Sequence, residues 1–369
     1  MSMFAEPSAK MRDSSRFTGL ATQLRKWARE LGFDALGIAD IALDEAEKRL
    51  GKWLADGRHG EMEWMAEHGL RRSRPNELIP GTLRVISVRM NYLGTTQGAA
   101  LSTLADPEHG YIARYALGRD YHKLLRKRLQ RLAERMEQTV GSFGYRVFCD
   151  SAPVLEKPLA AKAGLGWVGK HSLVLDRHAG SYFFLGEIYT DLPLPVDEPV
   201  GAHCGSCTRC MDVCPTKAIT APYRLDARRC IAYLTIEHRG PIPEPLRPLI
   251  GNRVFGCDDC QLVCPWNRHA QLSREAALAP RAALLAPRLV ELMRWDETQF
   301  LRETEGNPLR RVGYTGFLRN VAVALGNAPT SRATLSALAA RVSHPSALVR
   351  EHVHWALARH SSDALHGAH

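Results

Sequence analysis

Apolar side chains recur at helical spacing near the start of the chain. They follow one another every three or four residues: Leu20, Leu24, Trp27 and Leu31. This spacing places them on one face of a helix, and Gly32 is suited to the left-handed position that commonly ends one. A second apolar face runs to Leu54. The pattern therefore predicts that residues 17–57 are mainly helical.

Strand signals and a long amphipathic segment follow. Runs rich in β-branched and aromatic residues predict strands at 85–90, 146–149 and 181–188. Apolar positions at helical spacing opposite a basic face predict a helix over residues 121–138, and residues 158–163 predict a shorter one. Strands alternating with helices indicate an α/β layered domain over residues 17–195.

Composition changes twice beyond that domain. Three prolines between residues 192 and 199 exclude a regular element and predict a linker. We expect a flexible N-terminus at 1–16, a cysteine-rich domain at 196–270 and a helical domain at 271–369. Within the last, residues 317–325 resemble residues 349–357 at an offset of about 32. Such a period indicates HEAT-like repeats, although a plain helical bundle fits nearly as well.

Composition and charge narrow the class of protein. The 369 residues are 45% hydrophobic and 24% charged, which is typical of a globular protein and excludes a disordered chain, a collagen and a coiled-coil rod. No apolar run approaches the roughly 20 residues of a membrane span, and residues 1–16 lack a secretory signal pattern. We therefore expect a cytoplasmic protein. The net charge of +10 is compatible with a nucleic-acid partner or with a dispersed basic surface.

Eight of the nine cysteines lie between residues 204 and 264. The first run is Cys204-x2-Cys207-x2-Cys210-x3-Cys214-Pro215, the bacterial ferredoxin spacing for a 4Fe–4S cluster. A second run is Cys257-x2-Cys260-x3-Cys264-Pro265, and its missing first member is Cys230. Two structural zinc sites would need the same number of ligands, but their usual spacings match poorly.

In a two-cluster ferredoxin the last cysteine of each run ligates the other cluster. We therefore predict two 4Fe–4S clusters. Cluster one would be bound by Cys204, Cys207, Cys210 and Cys264. Cluster two would be bound by Cys214, Cys230, Cys257 and Cys260. Such a pair conducts electrons, so it implies a second redox centre elsewhere in the chain.

A glycine-rich stretch precedes the cysteines. Gly164-x-Gly166-x-x-Gly169 superficially matches the dinucleotide fingerprint, but it follows a predicted helix rather than a strand. The glycines instead allow close approach of backbone to a large cofactor, with Lys170 and His171 as polar contacts. A simple helix-terminating loop is the alternative interpretation.

Asp150 ends the predicted strand at 146–149, the position where a carboxylate meets a pocket in open α/β sheets. In an apolar cleft a carboxyl group can be held protonated and can donate its proton. A turn-forming or helix-capping role is the alternative. The adjacent Cys149 is expected to be a small buried apolar residue.

Several stretches together carry a family resemblance: residues 74–81, 114–122, 150–170 and 233–237, with the whole cysteine segment. In these the chain resembles the epoxyqueuosine reductase family. The resemblance implies reductive deoxygenation of epoxyqueuosine to queuosine in tRNA anticodon loops, the last step of queuosine biosynthesis. It also implies base-off cobalamin bound by residues 17–195, with Asp150 as proton donor. The corrin contacts implied are Arg74, Tyr115, Gly169, Lys170 and His171.

The resemblance gives the positive charge a partner. Four basic residues in the cysteine segment are expected to bind tRNA phosphates: Lys217, Arg224, Arg228 and Arg229. A basic face on the 121–138 helix would add to them. An external electron donor of the flavodoxin or ferredoxin type is expected, and the protein is expected to be a monomer. A cobalamin-dependent reductive dehalogenase and a ferredoxin-type electron carrier are the competing functions.

Overall fold

The computed structural model describes residues 14–366, and the side chains of residues 17–361. Most of the predicted flexible segment 1–16 lies outside the described residues, and the first helix begins at Ser14. The strands in chain order are β1 Ala35–Ala39, β2 Arg84–Asn91, β3 Tyr111–Ile112, β4 Tyr145–Phe148, β5 Trp167–Val168, β6 Val174–Leu175, β7 Phe183–Thr190, β8 Ile219–Ala221, β9 Arg224–Leu225 and β10 Arg253–Phe255.

The α-helices fall into two groups along the chain. Those before the cysteine segment are α1 Ser14–Glu30, α2 Asp44–Ala55, α3 Pro75–Leu78, α4 Gln97–Ala105, α5 Tyr121–Val140 and α6 Glu156–Lys162. Those within and after it are α7 Arg209–Val213, α8 Ile231–Ile236, α9 Arg247–Ile250, α10 Asp259–Leu262, α11 Leu289–Arg294, α12 Glu297–Glu303, α13 Gly313–Gly326, α14 Arg332–Ala339 and α15 Ala347–His366.

The central sheet has the order β1-β2-β7-β4, and all three of its strand pairs are antiparallel. One face packs against α1 and α5, where Leu24, Leu125 and Ile188 are fully buried. The other face packs against α6 through Val85 and Leu159. Helices thus pack on both faces of the sheet, as the layered α/β prediction requires. The strands of this sheet are antiparallel and not parallel.

Strand β1 is a correction, because the sequence pattern predicted residues 17–57 to be mainly helical and indicated no strand there. Its five residues, Ala-Leu-Gly-Ile-Ala, are too few to show strand alternation between two amphipathic helices. The strand is fixed by a long-range contact. A Cβ at Gly37 would lie 1.9 Å from the carbonyl oxygen of Ala163, so glycine allows β1 to pack directly on the end of α6.

The proline-rich stretch 192–199 has no regular structure, as predicted. It is nevertheless fixed to the sheet domain. Leu192 and Leu194 are completely buried in the main core. The Asp197 carboxylate accepts hydrogen bonds from the Ile38 backbone N–H, at 2.8 Å, and from Arg25.

The cysteine segment and the helical tail share a core. Phe255 of β10, which pairs in parallel with β3, packs in one apolar cluster with Phe317 and Leu318 of α13. The guanidinium of Arg319 is buried and donates to the carbonyl oxygens of Leu234, His238 and Gly240. The two similar stretches fall in α13 and α15, which contact each other; the HEAT-like relation between them stays a prediction.

No helix in the described part of the chain combines the length and the apolar character needed to cross a membrane.

Candidate functional site

A cavity of about 1040 Å³ lies where the start of α5, the loop after β4, the end of α8 and the segment 306–311 meet. Aromatic and charged side chains line it, among them Trp64, Arg72, Tyr115, Tyr121, His122, Asp150, Glu237 and Arg311. Its volume is at the upper limit of ordinary ligand pockets. The cavity therefore has room for a large ligand.

Asp150 faces this cavity from the loop between β4 and α6. Its backbone is left-handed, with φ +50°, a conformation that aspartate tolerates better than most residues. Its Oδ2 accepts hydrogen bonds from the Tyr121 hydroxyl at 2.6 Å and from His122 Nε2 at 3.0 Å. The side chain is half exposed, so it is held by neighbours but open to a ligand.

His122 links two carboxylates. Its Nδ1 lies 2.6 Å from Asp120 Oδ1, while its Nε2 contacts Asp150. Burial alone would lower the pKa of His122, but the hydrogen bonds with Asp120 and Asp150 raise it to about 9. The imidazole is therefore protonated at neutral pH.

The expectation that an apolar cleft keeps Asp150 protonated is wrong. Burial does raise its pKa, but the hydrogen bonds from His122 and Tyr121 outweigh burial and leave the pKa below its usual value. The mobile proton of the site consequently resides on His122. The strand-end argument also does not apply, because the rule concerns parallel sheets; Asp150 reaches the cavity through the loop.

Tyr121 fixes the orientation of this pair. Its ring stacks on Phe184 of β7 with centroids 3.7 Å apart and on His122 with centroids 4.3 Å apart. Stacking leaves the hydroxyl free to donate to Asp150. The core of the sheet domain thus positions the catalytic candidate.

Two more carboxyl groups lie behind Asp150. Glu156 Oε1 accepts the backbone N–H of Asp150 at 2.7 Å. Burial and the Asp150 charge raise the pKa of Glu156 to about 7. Glu187 on β7 is completely buried, with both oxygens lacking a hydrogen-bond partner; burial and Glu156 raise its pKa well above the usual value. The protonated, neutral form of Glu187 is therefore favoured over its carboxylate.

The cluster-one cysteines surround a second cavity, of about 240 Å³. Cys264 comes from the second run, so the chain folds back to meet Cys204, Cys207 and Cys210. These are the four residues that the ferredoxin crossover predicted, although their ligand role stays a prediction.

None of the cluster-two cysteines is among the described residues that line this second cavity. Burial raises the pKa of the Cys260 thiol well above its usual value, and the Cys230 and Cys214 thiols are close neighbours of it. The ammonium of Lys157 on α6 lies within electrostatic range of Cys230, Glu156 and Asp150. Lys157 is thus a common neighbour of one cluster-two cysteine and of the Asp150 carboxylate.

Only some of the predicted corrin contacts line the Asp150 cavity. Tyr115 does. Arg74 is instead paired with Glu47 and Glu77, both at 2.9 Å. Lys170 and His171 line the cluster-one cavity.

The 164–171 stretch has local roles that explain its position. Lys170 Nζ donates to the carbonyl oxygens of Gly205 and Cys207 at 2.6 and 2.9 Å. A Cβ at Gly169 would meet Leu175 and His171. Gly164 has a positive φ just after α6, and a hairpin of β5 and β6 follows. The stretch thus follows a helix and leads into a hairpin, whereas a dinucleotide fingerprint would follow a strand and open a helix.

The predicted tRNA-binding residues sit on another part of the surface. Lys217 donates to the Asp212 carbonyl, and Arg228 pairs with Asp226 at 2.7 Å. The β8–β9 hairpin, with Arg224 and the nearby Arg229, packs beside the end of α2 through a hydrogen bond from Trp53 Nε1 to the Leu225 carbonyl. Among the described residues that line the Asp150 cavity, none belongs to this predicted set; their part in RNA binding stays a prediction.

A different basic group borders the cavity. Five exposed cations contribute to its lining: Arg119, Lys123, Lys127, Arg310 and Arg311. We call them the cavity-rim cations. Lys123 and Lys127 belong to the basic face of α5 that the sequence predicted, and Arg119 just precedes this helix. Arg310 and Arg311 come from the tail, and no local sequence signal placed them here.

Sequence reasoning also missed His122 and Tyr121. Both lie in the stretch 114–122 that carried the family resemblance, so that stretch was the available signal. Their pairing with Asp150, nearly 30 residues away, depends on α5 and β4 packing against the same sheet.

Comparisons with known proteins agree with this architecture. Residues 203–267 match the family model described as "4Fe-4S double cluster binding domain". Residues 72–151 match the model described as "Epoxyqueuosine reductase QueG, DUF1730". The prediction of a double 4Fe–4S domain is therefore confirmed.

Relatives cover nearly the whole chain. An epoxyqueuosine reductase of Xanthomonas campestris pv. campestris is 61% identical over 343 residues, covering 93% of this chain and 97% of the relative. The epoxyqueuosine reductase of Escherichia coli K12 is 59% identical over 341 residues, covering 92% and 89%.

Solved structures show the same fold. A crystal structure of epoxyqueuosine reductase with an epoxyqueuosine-modified tRNA-Tyr stem loop has a TM-score of 0.86 at 27% identity, covering 94% of this chain and 92% of that one. The Bacillus subtilis enzyme, solved with its catalytic aspartate loop swung out of the active site, has a TM-score of 0.84 at 27% identity, covering 93% and 91%.

The identity over nearly the full length decides between the competing functions. A non-catalytic electron carrier is excluded, since the relatives are reductases, and the dehalogenase alternative is not supported by them. The chain is an oxidoreductase and belongs to the epoxyqueuosine reductase family.

Proposed function

We propose that this protein reduces epoxyqueuosine to queuosine in the anticodon loop of tRNA, the last step of queuosine biosynthesis. One observation carries the proposal: His122, hydrogen-bonded between Asp120 and Asp150, lines a cavity of about 1040 Å³. A relative bound to an epoxyqueuosine-modified stem loop supports the substrate. The catalytic aspartate loop of the Bacillus subtilis enzyme supports the role of Asp150.

The cavity residues fit a corrinoid. The volume suits a large cofactor, and Tyr115 and Trp64 offer apolar faces. The Nε of Arg72, on the cavity wall, is buried without a hydrogen-bond partner, so it is an available donor for an amide-bearing ligand. When bound base-off, cobalamin would supply a strongly reducing cobalt centre for cleavage of the carbon–oxygen bonds.

The chain's own residues supply a proton. Conversion of an epoxide to an alkene and water consumes two electrons and two protons. Negative charge that develops on the departing oxygen next to Asp150 would draw the proton from His122 through the shared Oδ2. Asp120 then keeps the imidazole in the orientation needed to recover a proton. This arrangement is that of a positioned acid with an orienting partner.

The cavity-rim cations support tRNA as the substrate carrier. Five exposed cations at one cavity mouth attract phosphates. A modified base that is splayed out of a single-stranded loop can then enter the cavity, the usual mode of RNA recognition. Electrons would reach the cavity from cluster one through cluster two, with an external donor of the flavodoxin or ferredoxin type.

The test is mass analysis of tRNA nucleosides after incubation of reduced, cofactor-loaded protein with epoxyqueuosine-containing tRNA. We expect queuosine from the wild type and at least a roughly 100-fold slower reaction from Asp150→Asn. The exposed Asp44→Asn is the matched control and should react at the wild-type rate. Unchanged epoxyqueuosine with the wild type, or a full rate with Asp150→Asn, would contradict the proposal.

A further inference from the structure

Cluster one is the surface end of the electron path. In the loop that carries its first cysteines, Gly205, Ser206 and Thr208 are exposed. None of the cluster-two cysteines is among the described residues that line the cluster-one cavity, and Cys230 instead neighbours Lys157 of α6. A donor protein that approaches this exposed loop from solvent therefore meets cluster one.

Three exposed arginines border the cluster-one cavity. Arg209 and Arg268 are part of its lining, and Arg177 Nη2 donates to His203 Nε2 at 2.8 Å, which brings a third guanidinium to the same edge. We call Arg177, Arg209 and Arg268 the cluster-one arginines. They come from three separate segments of the chain, so tertiary packing alone gathers them.

Packed aromatic side chains form the surface between these arginines. The His203 ring packs edge-on against Trp167 with centroids 4.9 Å apart, and Trp167 packs likewise against Trp266 at 5.2 Å. Rigid aromatic side chains at the centre of a charged rim are the composition expected of a protein-binding surface.

The nearby carboxylates do not neutralise this surface. Asp176, next to Arg177 in the chain, pairs with Arg89 at 2.9 Å. Asp212 keeps its negative charge, since its carboxylate accepts the neutral Thr208 hydroxyl at 2.7 Å. Against it stand the three cluster-one arginines and Lys170, which lines the same cavity. The charge that remains around the mouth is positive.

We propose that the cluster-one arginines form the docking site of a small acidic electron-transfer protein, which delivers electrons singly to cluster one. In each transfer the donor is oxidised by one electron and cluster one is reduced by one, with no covalent bond made or broken. The inference rests on the proposed function, which requires an external source of two electrons.

Position, rather than charge, favours a protein donor over RNA at this surface, because an acidic protein and RNA are both negatively charged. The cavity-rim cations belong to other elements, α5 and the segment 306–311, and they border the cavity into which the substrate base must enter. A donor on cluster one leaves those cations free for tRNA. Both partners can then bind during one reaction.

The experiment uses a reduced bacterial flavodoxin, an acidic protein, as the probe. The variant Arg209→Glu/Arg268→Glu is compared with Arg294→Glu/Arg332→Glu, which makes the same charge change at exposed sites on the tail helices α11 and α14. We expect the first variant to bind flavodoxin about 10-fold more weakly at low salt and to lose most of the salt dependence, because rim charges govern steering. The control should bind as the wild type does.

Further measurements separate docking from damage. Arg209→Lys/Arg268→Lys keeps the charge and should keep flavodoxin affinity. Cluster reduction by photoreduced deazaflavin and tRNA affinity should be equal in all variants. Equal flavodoxin affinity in the two Glu variants would overturn the proposal, and so would a loss of tRNA affinity without a loss of flavodoxin affinity, which would assign the surface to RNA. If flavodoxin binding shifts as expected while no variant forms queuosine, the docking site stands and the proposed function fails.

Discussion

The Nε2 of His122 lies 3.0 Å from Oδ2 of Asp150, and this contact assigns the proton of the site to the imidazole. Two carboxylates raise the pKa of His122 to about 9, while His122 and Tyr121 keep the pKa of Asp150 low. For the proposed reaction we therefore expect the acid to be the His122 imidazolium acting with Asp150, and not an isolated carboxylic acid.

A change of pH should expose this proton. Since His122 is protonated below about pH 9, the single-turnover rate of queuosine formation should be level near neutral pH and fall as the pH rises through that value. His122→Gln should react about 100-fold more slowly, because it orients Asp150 without supplying a proton, and it should lose this alkaline limb. Rates are measured with pre-reduced enzyme, and the cluster absorbance serves as the control. An alkaline limb that persists in His122→Gln would exclude His122 as its source.

The buried Glu187 predicts a pH dependence of stability. The titratable groups around it are Glu156, Asp150, Cys149 and Tyr189, and Lys157 is a charged neighbour of Glu156. The pKa values of Glu187 and Glu156 are raised in the folded state, so their contribution is fully present below the unfolded pKa of about 4.5 and is lost as the pH rises through the folded values, about 7 for Glu156.

Glu187→Gln mimics the protonated group and should escape this loss. The thermal midpoint of the wild type should therefore fall relative to that of Glu187→Gln between about pH 5 and about pH 8. The exposed Glu45→Gln provides the matched comparison. A constant difference between wild type and Glu187→Gln across this range would contradict the assignment of a raised pKa.

Affinity for tRNA should distinguish the two basic surfaces. Removing one cation that binds a phosphate lowers the slope of log affinity against log salt by about 1. We expect Arg119→Ala/Lys123→Ala to lower the slope by about 2 and also to slow turnover, because these residues border the cavity. Arg224→Ala/Arg229→Ala should lower the slope without changing the rate at saturating tRNA. An unchanged slope in the Arg119/Lys123 variant would remove the cavity rim from the RNA-binding surface.

Double substitutions should reveal which cysteines share a cluster. If Cys264 binds cluster one, Cys204→Ser/Cys264→Ser should lose about half of the iron, no more than either single variant. Cys204→Ser/Cys257→Ser should lose nearly all of it. Iron analysis of anaerobically purified protein decides the matter: complete loss of iron in the first pair, as large as that in the second, would place Cys204 and Cys264 on different clusters and contradict the predicted crossover. Cys149→Ser, outside the cysteine segment, should keep the wild-type iron content.

The local sequence pattern was sufficient to predict those features that depend on residues close to one another in the chain. The periodic leucines of α5 and the β-branched runs of β2 and β7 gave those elements within two residues at most boundaries. The cysteine spacing gave the double-cluster segment because three thiolates separated by two residues each can reach one cluster from a single loop, while the cysteine before each proline is expected to bind the other cluster. Strand β1 escaped notice because long-range packing of Gly37 against Ala163 stabilises it.

The chain by itself thus determined the type of chemistry: eight clustered thiols and an aspartate in a family-typical segment. Only the tertiary structure decided where protons and partners are placed. In the folded chain, His122 forms a hydrogen bond with Asp150. Arg310 and Arg311 of the helical tail line the Asp150 cavity, whereas Lys170 and His171 line the cluster-one cavity. The physical reason is the same in each case. Hydrogen bonds and electrostatic interactions act over a few ångströms in space, whereas these residues lie tens to hundreds of residues apart in the chain. Whether they come into contact therefore depends on how the helices pack on the antiparallel sheet.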